Sequence, residues 1–163
     1  MKKTLALLLF CSALLSAQKF TKQDTLKGSS TEFRNFWDVK KYEISVEPKF
    51  ADRSVSGTNK ITFEILKNIT NPVFQIDLQQ PMNYKIINSD EKLCSSKRVG
   101  DFIFIETKKI YKKGEIHSFT IQFSGNPTVA KNAPWDGGWV FKQDANGNPW
   151  MSVAQEGIGA SMW

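Results

Sequence analysis

The chain has 163 residues, of which 40% are hydrophobic, 23% charged and 12% aromatic, with a formal net charge of +6. This balance excludes a disordered chain and fits one ordinary domain long enough to bury a sizeable core. The only long apolar run is N-terminal, which excludes a polytopic membrane protein. Two cysteines cannot build a disulfide framework, and the single histidine, His117, excludes a self-contained metal centre of the two- or three-histidine kind.

Residues 1–17 read as an export signal. Lys2 and Lys3 form a positive start, Leu5 to Leu15 an apolar stretch too short to span a bilayer, and Ser16 and Ala17 a small-residue cleavage site after Ala17. Leu15 departs from the small residue usual three positions before the cut. Phe10 before Cys11 is too bulky for a lipid-attachment box. The pattern is bacterial, so the expectation is an exported protein, periplasmic or secreted. Export leaves Cys94 as the one cysteine, a lone thiol either buried or paired outside this segment.

Residues 18–35 are polar and carry Gly28, Ser29, Ser30 and Thr31, which reads as a tail or linker before order begins near Phe36 and Trp37. Strands follow. Tyr42, Ile44 and Val46 alternate with Glu43, Ser45 and Glu47, a half-buried strand stopped by Pro48. After a turn at 51–57, Ile61, Phe63 and Ile65 alternate with Thr62 and Glu64. Asn71-Pro72 is a turn before Phe74, Ile76 and Leu78. Met82, Tyr84 and Ile86 resume the alternation after Pro81, and Asn88 to Asp90 turns the chain. Cys94 falls in a polar loop. Phe102 to Ile105 is continuously apolar, as in a strand covered on both faces. Lys113-Gly114 is a tight turn, and His117, Phe119, Ile121 and Phe123 give the cleanest alternation. Period two without a helical period predicts an all-β antiparallel sandwich or twisted sheet.

The composition shifts after Ser124, where glycine and tryptophan concentrate. Residues 126–138 read as a long loop carrying Trp135. Trp139 to Lys142 and Trp150 to Ala154 read as a hairpin closed around Asn146-Gly147. The apolar end at Met162-Trp163 looks cut, so the expectation is the front part of a longer protein.

The lysines 108, 109, 112 and 113 form the densest basic cluster. They read as a solvated strand end, since nucleic acid would need a broader basic face with stacking aromatics. No H-E-x-x-H, G-x-S-x-G, phosphate-binding glycine loop or C-x-x-C is present. Asp144, Asn146 and Asn148 imitate a calcium loop, but Pro149 stands where its glycine belongs and Gln155 where its bidentate glutamate belongs, so a hairpin turn is the reading. His117 lies on the apolar phase of its strand, as a core or rim histidine does. Cys94 has no histidine partner for nucleophilic work. Asn68-Ile69-Thr70 matches a glycosylation acceptor, which a bacterial signal discounts. Trp135, Trp139 and Trp150 either stack on sugars or peptides or fill a junction with a neighbouring domain. Glu156 follows a strand and precedes Gly157-Ile158-Gly159-Ala160, where glycines let a carboxylate face a cleft.

Tyr42-Glu-Ile-Ser-Val-Glu-Pro48, Val55-Ser-Gly57, Ile61-Thr-Phe-Glu-Ile65 and Gly114-Glu115 before the strand at Phe119 resemble the opening of aminopeptidase N-type zinc metallopeptidases. Asn132-Ala-Pro-Trp-Asp-Gly-Gly138, Pro149-Trp150 and Gln155-Glu-Gly-Ile-Gly-Ala-Ser161 are similar to a Bacteroidetes-like branch of that family. The resemblance covers residues 36–163. It implies a saddle-shaped, mostly antiparallel N-terminal β domain lacking its last strands, ahead of a catalytic domain that holds Zn2+ through H-E-x-x-H. This segment would bind no metal and would be inactive alone. Its partners would be peptide substrates and the downstream catalytic domain, with no nucleic acid and no membrane span once the signal is cut. The resemblance also implies that Glu156, or Gln155 in the adjacent register, binds the substrate's free α-amino group. The other function class is a non-catalytic secreted β-sandwich binding module with aromatic loops.

Overall fold

The structure, a computed structural model, describes residues 20–89, 93–158 and 161. The expected export signal at 1–17 lies outside them, as do Gly159, Ala160 and Trp163. Among the described residues, eleven strands follow one short helix, α1 (Lys22–Gly28). They are β1 (Trp37–Lys49), β2 (Ser54–Ile65), β3 (Ile69–Thr70), β4 (Val73–Asp77), β5 (Asn83–Ser89) and β6 (Leu93–Val99). β7 (Phe102–Thr107), β8 (Ile110–Tyr111), β9 (Ile116–Gly125), β10 (Gly138–Gln143) and β11 (Pro149–Ala154) complete the set. One sheet runs β1-β2-β9-β5 and a second β4-β7-β6, with short ladders β3-β8 and β10-β11. Every ladder between strands is antiparallel, so the expected all-β antiparallel architecture is the one the chain adopts.

Period-two alternation places the core. Ile61, Phe63 and Ile65 of β2 and Phe119, Ile121 and Phe123 of β9 turn inward from the four-stranded sheet. Phe74 and Ile76 of β4 and Ile103 and Ile105 of β7 meet them from the three-stranded sheet. Phe63 is the hub, with ring centroids 5.2 Å from Trp37, 5.2 Å from Phe74 and 5.0 Å from Phe119. Trp139 extends the same cluster, with Phe141 and Met151 of the β10-β11 hairpin packed against it.

Strand β7 is covered on both faces, as its continuous apolar run predicts. Ile103 and Ile105 enter the main core, while Phe102 and Phe104 join Leu26 in a second cluster. Leu26 belongs to α1, inside the segment that reads as a polar tail. Thr21 and Asp24 form a reciprocal capping box that starts this helix. One apolar side chain on a short capped turn is enough to dock it, and Phe33 adds an edge-on contact 5.2 Å from Phe104.

Two further expectations shift. Cys94 lies in β6 rather than in a loop. Tyr42, Ile44 and Val46 do form an alternating strand, but they are 52%, 50% and 41% exposed. β1 is the outermost strand of its sheet; none of the three joins the core cluster, and Tyr42 lines a cavity beside Arg34 and Asp77.

Candidate functional site

The chain leaves β11 at Ala154, which pairs with Gly138 of β10, and turns at once through 155–158. Five contacts fix this turn. Ile158 packs against the main core. Its amide donates to the Gln155 carbonyl at 3.4 Å, closing the turn. Its carbonyl accepts from Ser161 Oγ at 2.9 Å, and the Ser161 carbonyl accepts from the Gln79 amide at 3.1 Å. Lys27 of α1 donates its ammonium to the Gly157 carbonyl. The segment just before β10 comes close enough to require glycine, since a Cβ on Gly137 would sit 2.3 Å from the Ile158 side chain and 2.5 Å from the Glu156 carbonyl.

On this anchored turn Gln155 and Glu156 are both exposed. The Glu156 carboxylate has no hydrogen-bond or ion-pair partner among the described residues. It is therefore held on fixed backbone with its acceptor capacity unspent, which is the state a carboxylate needs to receive a cation.

The tryptophans separate. Trp139 is 5% exposed, stacked on Phe141 at 5.9 Å within the core, and so leaves the set of surface aromatics. Trp135 is 82% exposed. Its loop is held by Asp136, whose carboxylate accepts from the backbone amides of Lys131 at 2.7 Å and Asn132 at 2.6 Å. Trp150 on β11 is 48% exposed. The sequence marks all three alike, because tryptophan follows no clean alternation here.

The remaining candidates take structural roles. Asp144 accepts from the amides of Asn146 and Asn148, both at 2.8 Å, and from Asn148 Nδ2 at 3.1 Å, so its carboxylate closes the hairpin turn. Those bonds hold it below the usual carboxylate range, with the Asn148 side chain the first cause. His117 Nε2 lies 3.1 Å from Glu115 Oε2, and its ring sits edge-on to Tyr111 at 5.1 Å, as a rim histidine does. Backbone bonding from Lys112 and then the His117 contact lower the Glu115 carboxyl. Among the described residues no three His, Cys, Asp or Glu side chains gather as metal ligands would. None of their helices is long and apolar enough to cross a membrane.

A cavity of about 260 Å³ opens between β1 and β4, lined among others by Arg34, Trp37, Tyr42, Gln75 and Asp77. Arg34 Nη2 donates to Asp77 Oδ1 at 2.6 Å across it. Burial, and then the Asp77 charge, push the Tyr42 hydroxyl above its usual pKa against the pull of Arg34. No sequence signal marks this group, because its members meet only through long-range packing.

No known protein-family profile matches the sequence, and no curated protein does. Among solved structures the fold is similar to the M1 zinc metallopeptidase of Deinococcus radiodurans. A point mutant of that enzyme superposes with a TM-score of 0.51 at 13% identity, over 67% of this chain and 27% of that one. The mutant bound to a Tyr-Ser-Ala substrate gives 0.52 at 13% identity, over 72% and 28%. A third structure of the enzyme gives 0.52 at 13% identity, over 71% and 28%. The likeness is one of fold, and the chain spans little more than a quarter of the length of the proteins it resembles.

Proposed function

We propose that this chain is the substrate-side β domain of an exported zinc aminopeptidase, and that Glu156 receives the free α-ammonium of the peptide. Zinc and the residues that hold it would come from further polypeptide of the same protein. The observation that carries the reading is the unpaired Glu156 carboxylate on a turn anchored by Ile158, Ser161 and Lys27. A fold shared with M1 zinc metallopeptidases, one of them bound to a short peptide, supports it. A carboxylate facing an ammonium makes charge-assisted bonds of about 1.5–3 kcal/mol when desolvated. An internal peptide nitrogen carries no charge and gains none of this, so the contact selects chain ends.

The test uses the complete gene product. Glu156→Ala lowers kcat/KM on a peptide with a free N-terminus by about one to two decades. The N-acetylated peptide loses much less, and Gln155→Ala leaves the discrimination intact. Equal losses on free and acetylated peptides would remove the role given to Glu156. The reading as a non-catalytic binding module draws on the exposure of Trp135. A coding sequence that ends at Trp163 favours it, and H-E-x-x-H downstream favours the peptidase.

A further inference from the structure

Among the described residues β1 has a hydrogen-bonded neighbour, β2, on one side only. Its partners fix which way its side chains point. Tyr42 pairs with Ile61, Ile44 with Asn59 and Val46 with Gly57, so all three lie on the face that carries the core. They are nonetheless 52%, 50% and 41% exposed. Lys41, Glu43, Ser45 and Glu47 occupy the opposite face. The bulge at Lys40 interrupts the register only between Val39 and Lys41, and pairing is regular from Lys41 to Lys49. A long regular edge with a half-exposed apolar stripe is a template for another strand.

We propose that β1 pairs antiparallel with β1 of a second copy of this chain, about a two-fold axis at Ile44. In that register Ile44 faces itself, Tyr42 faces Val46, Glu43 faces Ser45 and Lys41 faces Glu47. Apolar meets apolar on one face; on the other Lys41 meets Glu47, and Glu43 meets an uncharged serine. Neighbouring registers fail. A one-residue slip sets the apolar stripe against the charged face. A slip of two residues one way sets Glu43 against itself, and the other way sets Glu43 against Glu47 and Lys41 against Lys49. Like charges directly opposite are destabilising. Among antiparallel self-pairings, the charge pattern of the strand thus selects this one register. The contact is isologous, so it closes at a dimer.

The test measures the mass of the full chain by sedimentation equilibrium as a function of concentration. The expected result is a monomer–dimer equilibrium that Ile44→Lys abolishes, since it sets two ammonium groups at the axis. Glu47→Lys weakens the dimer about tenfold, because each dimer holds the Lys41–Glu47 pair twice. Adding Lys41→Glu to Glu47→Lys restores it. Cross-linking checks the register without depending on affinity. With Cys11 and Cys94 replaced by Ala, Ile44→Cys forms an intermolecular disulfide under glutathione oxidation. Paired Cα atoms about 4.5–5.5 Å apart lie within disulfide reach. Glu43→Cys alone does not cross-link. A chain that stays monomeric, a dimer that survives Ile44→Lys, or cross-linking that favours Glu43→Cys would each overturn the proposal.

Discussion

Lys27 and Gly157 lie 130 positions apart in sequence, yet the lysine ammonium donates to the glycine carbonyl and ties α1 to the turn that carries Glu156. The contact is exposed, so its effect on global stability is small. Its effect is local. Lys27→Met removes one of the turn's anchors and speeds amide hydrogen exchange at Gly157 and Ile158 severalfold, while the melting temperature barely moves. Unchanged exchange would mean that Ile158 and Ser161 hold the turn without it.

Gly57 marks the tightest approach between β1 and β2. A Cβ there would lie 2.0 Å from the Ser45 carbonyl oxygen and 2.8 Å from the Phe123 ring. The oxygen belongs to backbone and cannot swing away. Gly57→Ala therefore forces the strands apart and costs about 1–3 kcal/mol or more, read as a lower urea midpoint. A neutral result would mean that β1 shifts freely along its length.

Phe63 touches rings from β1, β4 and β9 at once. Phe63→Ala leaves a cavity where the two sheets meet and costs about 3–5 kcal/mol. Ile116→Ala, on an exposed position of β9, stays within about 0.5 kcal/mol. Equal losses from the two would contradict the placement of the core.

Asp144 gives the hairpin an acid-dependent component. Its folded carboxyl is held below its ordinary value of 3.8 by Asn148 and then by the other turn donors. A depressed folded pKa stabilises above the unfolded value, and the contribution is lost as pH falls through the folded one. Wild type therefore melts above Asp144→Ala at about pH 6, and the gap closes toward about pH 2. A gap that stays constant over that range would show that the carboxylate charge contributes nothing.

The strands with clean alternation were legible because each buries one face. β2, β4 and β9 read correctly from Ile61, Phe74 and Phe119 and their period-two neighbours. β6 was not, since Ser95, Ser96 and Lys97 are exposed on a strand paired, among the described residues, with β7 alone, so no burial pattern marks it. α1 is too short for a helical period, and its one readable sign was Thr21 followed three residues later by Asp24. The exposure of Tyr42, Ile44 and Val46 depends on where the second sheet ends, a long-range property absent from the strand's own sequence. Glycine neighbours single out Glu156 in the sequence, and its role is the proposal made above. The anchors beneath it, Lys27 and Gln79, were not, because they come from distant parts of the chain.

Strand β7 sends Ile103 and Ile105 one way and Phe102 and Phe104 the other. The two apolar clusters thus share a single backbone, so any displacement of β7 disturbs both. Heat or denaturant that unseats β7 should therefore open both clusters in one step.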